Sequence, residues 1–214
     1  LYNSPRDMSG ALSQRSEVYD SQVTTLGVAM SEDTLLLLGS DGNVELTLAH
    51  ELSHLIVGLA TDNPYAGLPR WLDEGLAMYA EGQLPRSNKV ALERAIKQDA
   101  LLTVRSMSSY SGQAEQVDLY YGAVYSVVDY LLQAYGRNKM QALLREFAKG
   151  ALQEDALRAV YGLDLDQLDG EWRVSLGLEP REPVSDGPTR TPLGLFHWRG
   201  VGASSPWFTY ARAA

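Results

Sequence analysis

Apolar residues recur along this chain at two spacings, and the change from one to the other marks out its elements. Thr25-Leu26-Gly27-Val28-Ala29-Met30 and Thr34–Leu38 are short β-rich runs parted by Ser31-Glu32-Asp33. They predict two strands joined by a turn. Gly39-Ser40-Asp41-Gly42 reads as a loop, and Asn43 stands where it can cap a helix that has Glu45 in its first turn. That helix, Val44–Ala60, is the longest apolar stretch, interrupted by Glu45, His50, Glu51 and His54, and reads as central and buried. Asp62-Asn63-Pro64 ends the region. Helical spacing resumes near Pro69, with Trp71, Leu72, Leu76 and Tyr79 on one face. Further helices are expected over Asn88–Leu101, over Leu119–Tyr135 closed by Gly136, and over Lys139–Ala148, Leu152–Tyr161 and Leu165–Leu176. Ser106–Gly112 is a serine-rich loop, and Leu1–Tyr19 is polar and ambiguous.

The pattern stops after Gly177. Glu179–Arg190 holds three prolines and mixed charge and reads as a linker. Thr191–Ala214 contains Leu195, Phe196, Trp198, Trp207, Phe208 and Tyr210 without clear period: a docking peptide or a simple tail. This predicts one domain over residues 1–178, followed by a linker and tail over 179–214. No internal repeat is visible.

Composition narrows the function classes. The chain has 214 residues, 45% hydrophobic and 21% charged, which suits one domain with a sizeable core. A net charge of −9, with no Lys/Arg cluster, argues against nucleic acid as a partner. Cysteine is absent, so there is neither a disulfide framework nor a thiolate metal site. No apolar run approaches the roughly 20 residues of a membrane span. The chain begins at Leu1 without a signal-peptide core, so it reads as a fragment, and its lack of a targeting segment carries no information.

The chemistry is concentrated in His50-Glu51-Leu52-Ser53-His54. Two of the chain's three histidines lie here, four residues apart, in an H-E-x-x-H pentapeptide. On a helix that spacing stacks both imidazoles on one face, one turn apart. Two such nitrogens can hold one Zn²⁺, and the glutamate beside them can act as general base toward water. A buried helix whose histidines only hydrogen-bond would show the same spacing. Zinc hydrolases keep three protein ligands and an open position, so a carboxylate is needed. Leu68-Pro69-Arg70-Trp71-Leu72-Asp73-Glu74-Gly75-Leu76-Ala77-Met78-Tyr79 offers two. Glu74 borders the apolar face, whereas Asp73 stacks with Ala77 and Ala80, farther from it and toward solvent. Helical geometry therefore favours Glu74. His197, in the tail, is not expected to be a ligand. Ser204, Ser205 and the serines between 106 and 111 lack a spare histidine to activate them, which argues against a serine hydrolase.

H-E-x-x-H, nineteen residues, then Glu74 within W-L-D-E-G-L-A-M-Y resembles the gluzincin metallopeptidases, the thermolysin-like group. Closer still, the chain resembles the bacterial peptidase MA-like domains, which carry a similar segment and a later Tyr-rich helix leading to L-x-x-x-Y-G. Here that helix runs from Tyr121 to Gly136. The likeness covers roughly residues 24 to 177. It implies an α+β, predominantly helical, zincin-like fold, with a small N-terminal sheet and a C-terminal helical subdomain. In that family an earlier strand precedes residues 1–19, so the fragment is expected to begin inside the domain. The resemblance further implies a tyrosine that stabilises the oxyanion. Tyr121 aligns best, by its ten-residue distance to Leu131, with Tyr120 and Tyr125 in reserve. It also implies that the sheet edge at Gly27, Val28 and Ala29 pairs with an extended substrate. An extracellular or cell-envelope location follows from the resemblance alone. One departure stands out: several gluzincins place an Asp four residues after the ligand glutamate to support a zinc histidine, and this chain has Met78 there. Its support must come from elsewhere.

The expectation is a zinc-dependent peptidase acting on peptides or proteins. Its rivals are a non-catalytic zinc-fold module that binds peptides and a zinc hydrolase of a non-peptide amide. Intact Glu51 argues against the first, since a pure binder needs no base.

Overall fold

A computed structural model describes residues 1–11, 23–31, 34–40, 42–62, 67–108, 116–181 and 208–213. Its elements are α1 (Pro5–Ala11), β1 (Val23–Ser31), β2 (Thr34–Leu37), α2 (Val44–Ala60), α3 (Arg70–Ala80), α4 (Arg86–Lys97), α5 (Val104–Met107), α6 (Val117–Ala148), α7 (Gln153–Tyr161), α8 (Leu165–Ser175) and β3 (Phe208–Ala213). The fold is α+β and predominantly helical, as the resemblance implies.

The sheet has the order β2-β1-β3, both pairs antiparallel. β1 meets β2 with Gly27 opposite Leu37 and Ala29 opposite Leu35. Its other edge meets β3, with Gly27 opposite Tyr210, Val28 opposite Thr209 and Ala29 opposite Phe208. The register slips between Thr25 and Gly27, leaving Leu26 as the extra residue of a bulge. Thus a segment of the tail becomes a strand of the sheet. Residues 182–207, with His197, Ser204 and Ser205, lie outside the described residues, as do 109–115.

The helices form the larger layer. α6 is the hub: α3, α4 and α7 all pack on it. It runs through Gly136, whose φ of 80° and ψ of 167° break the helix where the sequence predicts one helix to close and another to begin. Only glycine adopts that backbone readily. Trp71, Leu72, Met78, Val124, Val127, Val128, Leu131, Leu157, Leu168 and Trp172 are buried in the core between these helices. Two glycines set how closely they approach. A Cβ at Gly75 would lie 2.5 Å from Val128 Cγ2 and 2.6 Å from the Val124 carbonyl oxygen. One at Gly122 would lie 2.7 Å from the Asn88 carbonyl oxygen. α3 and α4 therefore rest directly on the backbone of α6.

Several local expectations change. Asn43 occupies the N-cap of α2 but makes no side-chain cap bond; its carbonyl accepts from Leu46 and Thr47 instead. The Asn88–Leu101 helix begins at Arg86 and ends at Lys97, although Leu101 is still buried. Ser106 belongs to a short helix, where it and Thr103 form a reciprocal capping box. α2 is not buried on all sides. Thr47, His50, Glu51, His54 and Val57 face inward, whereas Leu48, Leu52, Ile56 and Leu59 form an exposed stripe. Its polar chemistry is inside, and part of its apolar surface is outside.

Candidate metal centre

α2 packs against β1 on one side and α3 on another. His50 and His54 lie one turn apart, with ring centroids 5.0 Å from each other. From α3, Glu74 comes between them: its Oε2 is 3.5 Å from His50 Nε2 and 3.8 Å from His54 Nε2. Atoms of these three residues that could bind a metal all lie within 4.8 Å of one another. Gly75, the next residue, is what lets α3 sit low enough on α6 to hold Glu74 there.

The far side of each ring is anchored by a carboxylate. His50 Nδ1 lies 2.8 Å from Glu81 Oε1 and His54 Nδ1 lies 3.1 Å from Asp73 Oδ2. With Nδ1 turned to a carboxylate in this way, each ring presents its Nε2 toward Glu74. Asp73 corrects the sequence reading: it is not turned to solvent but 4% exposed, and it holds His54. Glu81 takes the supporting role that Met78 cannot. It stands seven residues after Glu74, two helical turns on, and therefore on the same face. That spacing was a usable signal. Arg70 was the third residue missed. Its guanidinium is 3.7 Å from Glu74 Oε1 across one turn of α3, an i,i+4 pair visible in the sequence.

Glu51 is 0% exposed and points toward β1. A Cβ at Gly27 would fall 2.5 Å from Glu51 Oε1 and 2.8 Å from Thr47 Cγ2. Glycine at 27 is therefore required by Glu51, whatever else approaches that edge.

The centre favours positive charge. Glu51, Asp73, Glu74 and Glu81 are all buried. Burial of that many carboxylates needs compensating charge. Burial alone would lower the His50 pKa, but Glu74 and Glu81 outweigh it and raise it to about 9. Burial also opposes protonation of His54, and Asp73 overcomes it, again raising the pKa. Glu74 shifts the other way: burial would raise its pKa, but His50 and His54 pull it below the ordinary carboxylate value. Two imidazole nitrogens and one carboxylate oxygen, in a pocket that prefers a cation, fit a divalent metal such as zinc.

The Tyr121 ring meets His50 edge-on, with centroids 6.3 Å apart. Tyr120 is 1% exposed and packs against Tyr121. Tyr125 stacks on Tyr79. Gly27, Val28 and Ala29 lie on the β1 edge beside Glu51, where their backbones pair with β3.

The family model of the peptidase MA superfamily matches residues 1–177. No curated protein matches the chain, and no solved structure does either.

Proposed function

The chain belongs to the peptidase MA superfamily, and from that premise we propose that it is a zinc-dependent peptidase of the gluzincin type. The observation that carries the reading is the convergence of His50 Nε2, His54 Nε2 and Glu74 Oε2, each imidazole braced from behind by a carboxylate. His50, His54 and Glu74 would hold the ion. Bound there, zinc supplies a Lewis acid that polarises the scissile carbonyl and lowers the pKa of water. Glu51, adjacent to His50 and walled in by Gly27, takes the proton of the attacking water and returns it to the leaving amine. The Tyr121 hydroxyl donates to the oxygen on which negative charge develops. The backbone of Gly27, Val28 and Ala29 binds an extended peptide by strand pairing, which gives affinity without selecting side chains.

The rival reading is a peptide-binding module without turnover, and for both readings the edge assigned to the peptide already carries a strand. The deciding experiment measures zinc content and hydrolysis of a mixed peptide library for the wild type and Glu51→Gln. The peptidase reading expects the variant to keep its zinc and lose hydrolysis. Zinc-loaded wild type without turnover would favour the binding module. Loss of metal from the variant would mean that Glu51 is a ligand.

A further inference from the structure

β3 pairs with the one stretch of β1 that lies against Glu51. The pairing continues on both sides of the bulge: Val23, Thr24 and Thr25 face Ala213, Arg212 and Ala211, and Gly27, Val28 and Ala29 face Tyr210, Thr209 and Phe208. Tyr210 is therefore the direct partner of Gly27, and Gly27 is in contact with the Glu51 carboxylate. Strands in a sheet are about 4.8 Å apart, so the Tyr210 backbone runs one strand spacing from Gly27. β3 also lies against α2 and α6, the helices that bear the histidines and Tyr121. In this arrangement His50, Glu51, His54 and Glu74 are at most 3% exposed. An extended peptide seeking main-chain bonds from β1 would find them already used.

We propose that Phe208–Ala213 is an intramolecular pseudosubstrate: the chain's own C-terminal strand occupies the peptide-docking edge of β1 and blocks the cleft in cis. The proposal rests on the peptidase reading for what is blocked, but the pairing itself can be tested without turnover. The recognition is chemically plain. Main-chain pairing reads an extended backbone and accepts varied side chains, so a strand tethered to the same molecule competes with any free peptide at a high local concentration. The same six residues supplied as a free peptide should occupy the edge in trans, which gives the test its second arm.

The experiment uses the full chain with Tyr210→Pro and Ala211→Pro together. Consecutive strand residues point their N–H groups to opposite sides, so one of the two prolines removes a donor facing β1. Hydrogen exchange is then followed at Val23–Ala29 and, as a check on folding, at Tyr120–Leu131 of α6. The β1 amides that face β3 should exchange at least about tenfold faster, with α6 unchanged. The synthetic hexapeptide Phe-Thr-Tyr-Ala-Arg-Ala, the sequence of 208–213, should restore their protection. In the peptide-library assay the variant should show about tenfold higher kcat/KM if the tail leaves the cleft open a tenth of the time. If the double variant loses α6 protection, Phe208→Pro with Thr209→Pro, nearer the strand's end, replaces it. Unchanged β1 exchange, or failure of the hexapeptide to re-protect the variant, overturns the proposal. If exchange and re-protection behave as stated while neither protein hydrolyses peptides, the strand assignment stands and the peptidase reading falls. If both proteins hydrolyse peptides equally and β1 exchange is unaltered, the pseudosubstrate falls and the peptidase reading stands.

Discussion

Glu81 and Tyr121 touch the same histidine from different sides, and their substitutions should have different signatures. Glu81 Oε1 holds His50 Nδ1 at 2.8 Å. Glu81→Gln keeps the shape but removes the charge that favours a well-oriented, electron-rich imidazole. Zinc affinity should fall about 10–100-fold, measured by competition with a chromophoric chelator, and activity at saturating zinc should largely recover. An unchanged affinity would mean that Glu81 only fills space. Tyr121 packs edge-on to His50. Tyr121→Phe should leave zinc affinity and KM nearly unchanged and lower kcat by roughly 10²–10³. A tyrosine that merely packs would instead cost about 1 kcal/mol of stability and spare turnover. At this scale much of the centre was legible. The i,i+4 histidines and Glu74 follow from helical spacing and ligand chemistry. Asp73 was misread because a helical wheel sees one helix at a time: its angle to the α3 core says nothing of α2, which crosses where Asp73 meets His54.

Helices were legible for the same reason that their packing was not. Period and breakers locate α3, α4, α6, α7 and α8 to within a few residues, and Gly136 marks the break in α6, whereas the four-residue α5 is too short to show a period. What brings Glu74 to the histidines is a crossing distance, set by Gly75 against Val124 and Val128. Gly75→Ala tests it, because two effects oppose each other. Alanine gains about 1 kcal/mol of helix propensity. Its methyl would also meet the Val124 carbonyl oxygen at 2.6 Å, a backbone atom that cannot turn aside. The clash should win, with a net loss of about 1–3 kcal/mol by thermal or urea unfolding and weaker zinc binding through a displaced Glu74. A variant as stable as the wild type would show that α3 can rise off α6 freely. The exposed stripe on α2 was misjudged from the length of its apolar run; length reports that a helix is apolar, not which neighbours it has. β3 left a fainter trace. Phe208-Thr209-Tyr210 has strand-forming residues, but its partner is at the opposite end of the chain, beyond the reach of any local pattern.

Across the whole molecule the centre ties α2, which packs on β1, to α3, which packs on α6, since the histidines come from one helix and Glu74 from the other. Metal bound there should therefore stabilise the fold as well as enable turnover. With free zinc a thousandfold above its Kd, linkage gives about 4 kcal/mol, or roughly 8–16 °C in Tm for a chain of this size. Dialysis against a chelator should remove that increment together with activity, and added zinc should return both. Equal Tm with and without chelator would rule out a metal joining α2 to α3. No helix among the described residues is long and apolar enough to cross a membrane. The pairing of β1 with β3 also sets a clock. The strand from Val23 to Ser31 leaves the ribosome long before Phe208–Ala213 exists. At 5–20 residues per second the interval is on the order of ten to forty seconds. Throughout that time the newborn chain carries an unpaired sheet edge, and the Phe208–Ala213 strand of a neighbouring folded copy is a ready substitute. Crowded polysomes are thus where exchanged dimers of this protein would be made.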